Sequence, residues 1–380
     1  MMVVFGHIRN AFGWSFIPNS FLYGYGVTFF FILSGFILTH NYLHKPIPFG
    51  HFIQNRWARL WPAHMLWLAA LLLLVPSGWW NYDGHGLLNQ WVILPVNIFM
   101  LHSFVPVQEY FFSWNNVSWS ISTEFFLYLV FLFLLKNIHK TWYYKLSFTF
   151  MLFCSLKIVQ FYRIFDGINV GCTIDVAYTF PPARVFEFFV GMCAYLLWER
   201  IRSRDITLIF LPASGVLMYF AWRFSSFQHS HLAAILNYTF VVAALASLII
   251  SVAKNEGIVG YLLGNRLFVY LGEISYSCYL CHQVIIRMFI WHGYAGYANH
   301  YWTSLSPAWQ AIFYFLTIFA ASALSYHVVE NPGRKLLRML DFQKTVHSFL
   351  EKGRLHIIKS SLFDAKKVEA DKRSCSKVRL

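Results

Sequence analysis

The sequence predicts an all-α polytopic membrane protein, a bundle of about ten transmembrane helices. Three observations predict it. Charged residues make up only 12% of the chain, against about 25% in an average soluble domain, so polar groups are too few to solvate a globular surface. Apolar runs of bilayer-crossing length, about 20 residues, recur along almost the whole chain. The loops between those runs alternate between basic and base-poor. With hydrophobic residues at 58% and a mean hydropathy of +0.51, disordered, collagen-like, coiled-coil and ordinary soluble-enzyme classes are excluded.

In chain order the spans fall near 1–17, 21–40, 61–78, 117–135, 142–162, 184–199, 206–222, 232–253, 267–290 and 308–329. The run 91–101 is too short to cross and holds Pro95, so it is predicted to be interfacial or re-entrant. One set of loops is basic: Lys45, Arg56 and Arg59 in the second, Lys136 and Lys140 in the fourth, Arg200, Arg202 and Arg204 in the sixth, Lys254 and Arg266 in the eighth. The other set is poor in Lys and Arg; segment 79–116 has none. The bias predicts that both termini are cytoplasmic and that 79–116 is the largest ordered surface on the far side. Residues 1–330 form the transmembrane domain. Residues 331–380 form a basic cytoplasmic tail, with 13 Lys and Arg against 5 Asp and Glu out of a chain net charge of +14. A basic tail that follows an apolar stretch points to anionic membrane lipids as partner, not to nucleic acid. Cys278 and Cys281 form a CxxC on an apparent membrane helix and are read as packing residues, without metal or redox role. No cleavable signal peptide is expected, and no internal repeat of the transporter kind is visible.

Ionisable side chains inside spans are costly and mark functional candidates. They are His7 and Arg9, Glu124, Lys145 and Lys157, Arg184 and Glu187, Glu273, His282 and Arg287, and His327 and Glu330. Lys145 and Lys157 can snorkel. Arg184 and Glu187 stand at i, i+3 and can pair locally. Glu273 and Arg287 are 14 residues apart, about 21 Å along a helix, so each needs a partner elsewhere. A neutral His7 suits a general base near neutral pH. Arg56 and Arg59, one helical turn apart in RWARLWP, make either positive-inside anchors or a fork for phosphate oxygens. Ser34 and Gly35 in FFFILSGF suit close helix packing, with a nucleophilic serine as the alternative. Ser120 and Glu124 share one helix face in WSISTEFFLY and could line a cavity or cap the helix.

Taken together, VVFGH (His7), GYGVTFFFILSGFILT, RWARLWP, WSISTEFFLYL, RVFEFFVG, LGEISYSCYLCH and YHVVENP resemble, in the same order, the motifs of the membrane acyltransferase-3 family. That family comprises integral-membrane O-acyltransferases of bacterial surface sugars and some antibiotics. The resemblance runs from Val3 to Pro332 and implies a bundle of about ten helices in the inner (cytoplasmic) membrane. It implies that His7 is catalytic, and that Arg56 and Arg59 handle an acyl-CoA donor, acetyl-CoA in the simplest case. The family's serine–glycine turn falls on Ser34 and Gly35, and its fourth-segment carboxylate on Glu124. One departure concerns the first helix. The family carries a basic residue 11 positions before the histidine, and here six residues precede His7. The expectation is a start internal to a longer gene, or a helix that begins submerged, with consequences for activity.

The expected reaction moves the acyl group to a hydroxyl of a carbohydrate, free or lipid-linked, with no bound cofactor and no metal. His7 acts as base or nucleophile, and Glu124 orients His7 or meets sugar hydroxyls. Trp119 and Ser120 bind substrate, in an aromatic-rich region with Trp79, Trp80, Tyr82 and Trp114. The competing reading is a transporter or flippase of a glycolipid or polar solute, with His7, Glu124, Glu273 and His282 as relay groups. The arginine fork discriminates, because only a donor-binding enzyme needs guanidinium groups there. A third reading, a structural partner in a polysaccharide assembly, would need none of these side chains.

Overall fold

A computed structural model of the chain describes residues 2–14, 21–45, 47–75, 89–161, 176–201, 207–225, 230–253, 257–294 and 304–340. Ten principal helices follow one another: α1 (Met2–Phe12), α2 (Gly26–Tyr42), α3 (Phe49–Leu74), α4 (Trp119–Leu135), α5 (Ile138–Phe161), α6 (Val185–Ile201), α7 (Thr207–Ser225), α8 (His231–Val252), α9 (Ser275–Tyr294) and α10 (Pro307–Ser325). A π-helical turn, Tyr326–Glu330, links α10 to an eleventh helix, α11 (Asn331–Met339). Six of the described helical stretches are long and apolar enough to cross a membrane: Tyr23–Tyr42, Phe49–Leu74, Asn116–Leu135, Thr207–Ser225, His231–Val252 and Pro307–Met339. The chain is thus an all-α polytopic membrane protein. Its exterior is apolar, with Leu208, Ile209, Tyr219 and Trp222 of α7 all exposed, while Glu124, Arg184, Glu187, His282 and Arg287 are buried. A protein dissolved in water would carry the reverse pattern.

Three predicted spans have different ends. The first stops at Phe12, because Gly13 takes a φ of +65° and its N–H closes back on the Arg9 carbonyl at 2.9 Å, a left-handed helix stop. The third begins at Phe49, well before the apolar stretch. Hydropathy sees only the lipid-facing part, whereas Gln and Arg extend a helix readily. Arg56 and Arg59 therefore lie within α3 and not in the loop before it. The ninth is split at Ile274 into a short amphipathic helix, Arg266–Glu273, and α9. Asn265 starts the short piece by accepting the Leu267 N–H at 2.9 Å. Glu273 ends it exposed, so it is not a buried membrane carboxylate.

Small residues set the closest crossings. A Cβ on Gly35 would lie 2.0 Å from the Phe188 carbonyl oxygen, and one on Gly191 would lie 1.9 Å from that of Ile32. α2 and α6 thus touch backbone to backbone. Within residues 89–118 the chain forms the nine-residue helix Gln90–Ile98 and three short turns. Nine residues rise about 14 Å, half a hydrocarbon core, so this piece does not span. It is held by buried polar bonds: Asn97 Nδ2 donates to Ser113 Oγ at 2.8 Å, and His64 Nε2 to the Asn97 carbonyl at 2.8 Å. Lys145 snorkels, its Nζ reaching the Leu134 carbonyl at 2.9 Å. Cys278 and Cys281 are free and buried, and the described residues contain no metal-binding cluster.

Candidate active site

Two polar sites lie within the bundle, joined by one face of α4. The first is a cavity of about 200 Å³ whose walls include His7, Val27, Asn116, Trp119, Tyr178 and Tyr279. Glycines press α1 into place beside it. A Cβ on Gly6 would lie 2.9 Å from Tyr23 Cβ, and one on Gly26 would lie 2.7 Å from Val3 Cγ2. Val4 and Ile8, on the adjoining flank of α1, are buried. His7 is left half-buried, facing the cavity.

The His7 ring is hydrogen-bonded to a second histidine. His7 Nδ1 and His282 Nε2 are 2.9 Å apart. The centroids are 5.2 Å apart and the planes differ by 10°. At that separation a short N···N contact means rings edge to edge in one plane, not face to face. His282 Nδ1 in turn meets the Tyr279 carbonyl. A carbonyl only accepts, so His282 Nδ1 carries a proton. In the neutral ring His282 Nε2 is then bare and accepts, so His7 Nδ1 must be the donor. His7 Nε2 is left with a free lone pair. Two fixed hydrogen bonds thus set the histidine tautomer that a general base requires.

Ser120 Oγ and Tyr279 Oη share a hydrogen bond of 2.7 Å, which ties α4 to the α9 turn that holds His282. Trp119 packs against Tyr178, with centroids 4.9 Å apart and planes inclined at 50°. The Arg184 guanidinium lies over Tyr178 at 4.7 Å and over Trp119 at 5.7 Å. Arg184 is fixed by Glu187, 3.0 Å away with both side chains at zero exposure, and Tyr238 Oη donates to the same carboxylate. The i, i+3 pair expected from the sequence forms and serves as a brace behind the cavity wall.

The second site surrounds Arg56 and Arg59. Ser120, Glu124 and Tyr128 recur every fourth residue and so form one stripe along α4, about 12 Å long. Ser120 lies behind the histidine cavity, bonded to its wall residue Tyr279. Tyr128 Oη donates to Glu124 Oε1, and Arg56 lies over the Tyr128 ring at 5.7 Å. Arg56 also faces Tyr42 at 5.9 Å and Phe52 at 6.0 Å. Arg59 is within electrostatic reach of Glu124, Glu330, Tyr128 and Tyr276. Glu124 therefore sits with the arginine pair. The partner of His7 is His282.

The other expected residues divide clearly. Ser34 makes no hydrogen bond among the described residues and lies at neither site, while its neighbour Gly35 accounts for the motif by packing. Trp114 is wholly buried, with φ +54°, and its carbonyl accepts from Arg287 Nη1 at 2.7 Å, so it is no exposed stacking platform. Trp79, Trp80 and Tyr82 lie outside the described residues. His282 and Tyr279 were present in the LGEISYSCYLCH motif, but nothing in the sequence pairs that segment with α1.

The profile of the acyltransferase domain family matches residues 1–327. The acyltransferase MdmB of Streptomyces mycarofaciens is similar, 25% identical over 333 residues, covering 82% of this chain and 81% of that protein. Nodulation protein 10 of Rhizobium leguminosarum bv. viciae is 24% identical over 326 residues, covering 82% of each. No solved structure matches the chain.

Proposed function

Because the chain belongs to the acyltransferase family whose profile spans residues 1–327, we propose that it is an O-acyltransferase, moving an acyl group, acetyl in the simplest case, from an acyl-CoA thioester to a hydroxyl of a cell-surface or lipid-linked carbohydrate. The observation that carries this reading is the bare Nε2 of His7 at a cavity wall, with two guanidinium groups further along α4 beyond Ser120, Glu124 and Tyr128. Arg56 and Arg59 bind the donor's phosphates from the cytoplasmic side, where both chain termini also lie. The thioester reaches along the stripe toward the cavity. His7 Nε2 takes the proton of the attacking hydroxyl as the oxygen bonds to the thioester carbonyl carbon. The carbon–sulfur bond then breaks, and the thiolate leaves with that proton. His282 is a positioning residue: it holds His7 in one tautomer and one orientation, and spreads the positive charge over two rings. Trp119 and Ser120 wall the acceptor side, and Glu124 lines the path of the donor.

Transfer of radiolabel from acetyl-CoA to a carbohydrate acceptor tests the reading. His7→Ala is expected to lower the rate about 10²- to 10⁴-fold, the usual worth of a general base. Transfer that survives this change undiminished removes His7 from the mechanism. His282→Gln offers an amide oxygen to His7 Nδ1 and is expected to retain more activity than His282→Ala. Equal losses in the two would argue that His282 merely fills space.

A further inference from the structure

The reading above gives the donor two arginines, but the structure gathers four. α11 runs antiparallel along the first half of α3. At one end a Cβ on Gly333 would lie 2.9 Å from Pro62 Cβ, so a glycine is what allows the contact. At the other end Gln54 Nε2 donates to the Leu337 carbonyl at 3.0 Å and also to that of Leu340, which satisfies free carbonyls at the helix end. Residues 334–338 thus lie beside residues 54–62. Arg334 and Arg338, at i, i+4, share a face, as do Arg56 and Arg59. Arg334 is in electrostatic reach of Arg338, Arg59 and Arg56, and Arg338 is in reach of Arg56 and Arg59.

Four like charges repel, and no direct ion pair offsets them, although Glu124 and Glu330 lie in electrostatic reach of Arg59. None of the four has a carboxylate within 4 Å among the described residues. The two nearby acids are engaged elsewhere: Glu330 accepts from Ser277 Oγ at 2.6 Å, and Glu124 from Tyr128. Nε of Arg56 and Nε of Arg334 are buried with no hydrogen-bond partner. The π-turn Tyr326–Glu330 sets the rotation of α11, and such turns recur at functional sites. Arg56 Nη2 reaches only the neutral Tyr42 hydroxyl, at 3.4 Å, and half-buried guanidinium groups without an ion-pair partner fit an anion that carries several phosphates. Headgroups of the bilayer would meet chiefly Arg338, which is exposed, whereas Arg56, Arg59 and Arg334 are half-buried.

We infer that α11 is half of the donor site: Arg334 and Arg338 bind phosphates of the coenzyme A nucleotide opposite Arg56 and Arg59, so that the nucleotide is clasped between α3 and α11. The inference rests on the acyl-CoA reading of the arginine pair and extends it to a helix outside the motif.

Equilibrium binding to the full-length protein in detergent tests it, with coenzyme A, dephospho-coenzyme A and pantetheine as probes. R334Q/R338Q is expected to weaken coenzyme A at least about tenfold, the equivalent of 1.4 kcal/mol. Dephospho-coenzyme A should lose less, and pantetheine should bind wild type and variant alike. R334K/R338K retains the charge but not the fork and should recover part of the loss, which shows that the variants fold. Unchanged coenzyme A binding in R334Q/R338Q, or no binding by the wild type, overturns the inference. So does an equal loss for pantetheine. Repetition in vesicles of neutral phosphatidylcholine and of anionic lipid separates the sources: a loss confined to anionic vesicles would assign the arginines to lipid headgroups and overturn it too. Coenzyme A binding that obeys the prediction while no acyl transfer occurs would spare the inference and sink the transferase reading.

Discussion

The bundle buries guanidinium groups in two ways. Arg184 is ion-paired within the protein. It is 3.0 Å from Glu187, its Nε reaches the Tyr178 carbonyl at 2.6 Å, and aromatic rings cover it. Arg56 and Arg59 have aromatic neighbours and carboxylates in electrostatic reach, but no ion pair within 4 Å. The difference separates a structural cation from one that awaits a ligand. A satisfied buried pair does its work in the unliganded protein. An unsatisfied cluster costs stability until something negative arrives.

The largest effect expected from that contrast is on folding. Arg184→Gln leaves the Glu187 carboxylate buried beside a neutral group, and breaking one side of a buried pair costs about 3–5 kcal/mol. The thermal midpoint of the detergent-solubilised protein should fall steeply. Arg59→Gln should lower it far less, because Arg59 has no ion pair within 4 Å to break among the described residues. Comparable losses in the two variants would erase the distinction between the sites.

A middle-sized effect should come from ligand. Anything that binds only the folded state stabilises it, by about 2.7 kcal/mol at one hundred times its dissociation constant. Coenzyme A should therefore raise the midpoint of the wild type. The rise should disappear in Arg56→Gln/Arg59→Gln and persist in His7→Ala, whose ring is at the other end of the α4 stripe. A rise that persists without both arginines would move the donor site elsewhere. Added salt should shrink the rise, since it screens the partly exposed charges.

Much of this architecture was legible in the residues, and the illegible parts share a cause. Apolar runs announced the helices, and small residues such as Gly35 announced a close crossing. The i, i+3 spacing of Arg184 and Glu187 announced their pair, because one turn of helix is local information. The His7–His282 pair is not local: 275 residues separate its members, and only the packing of α1 on α9 makes them neighbours. The start of α3 was missed because polar helix residues carry no hydropathy signal. Arg334 and Arg338 were hidden for a subtler reason. Basic residues after a last apolar span have a sufficient explanation as membrane anchors, so the sequence offers no reason to look for another. It takes the Gly333–Pro62 contact and the Gln54 bonds to turn α11 back onto α3.

The smallest effect concerns a second ion pair, which marks the opposite end of the same scale. His44 Nε2 and Glu199 Oε1 are 2.9 Å apart, as close as Arg184 and Glu187, but their side chains are 65% and 26% exposed. Water already solvates both groups, and Tyr195 Oη supplies Glu199 with a second bond at 3.1 Å. Distance alone would rank the two pairs as equals; burial ranks them far apart. Exposed pairs contribute about 0–1 kcal/mol, so His44→Ala should shift the thermal midpoint little, and that small shift should vanish in high salt. A loss near that of Arg184→Gln would mean that contact geometry, not desolvation, governs charge pairs in this bundle. The argument that separates the Arg184 brace from the open arginine cluster would then fail with it.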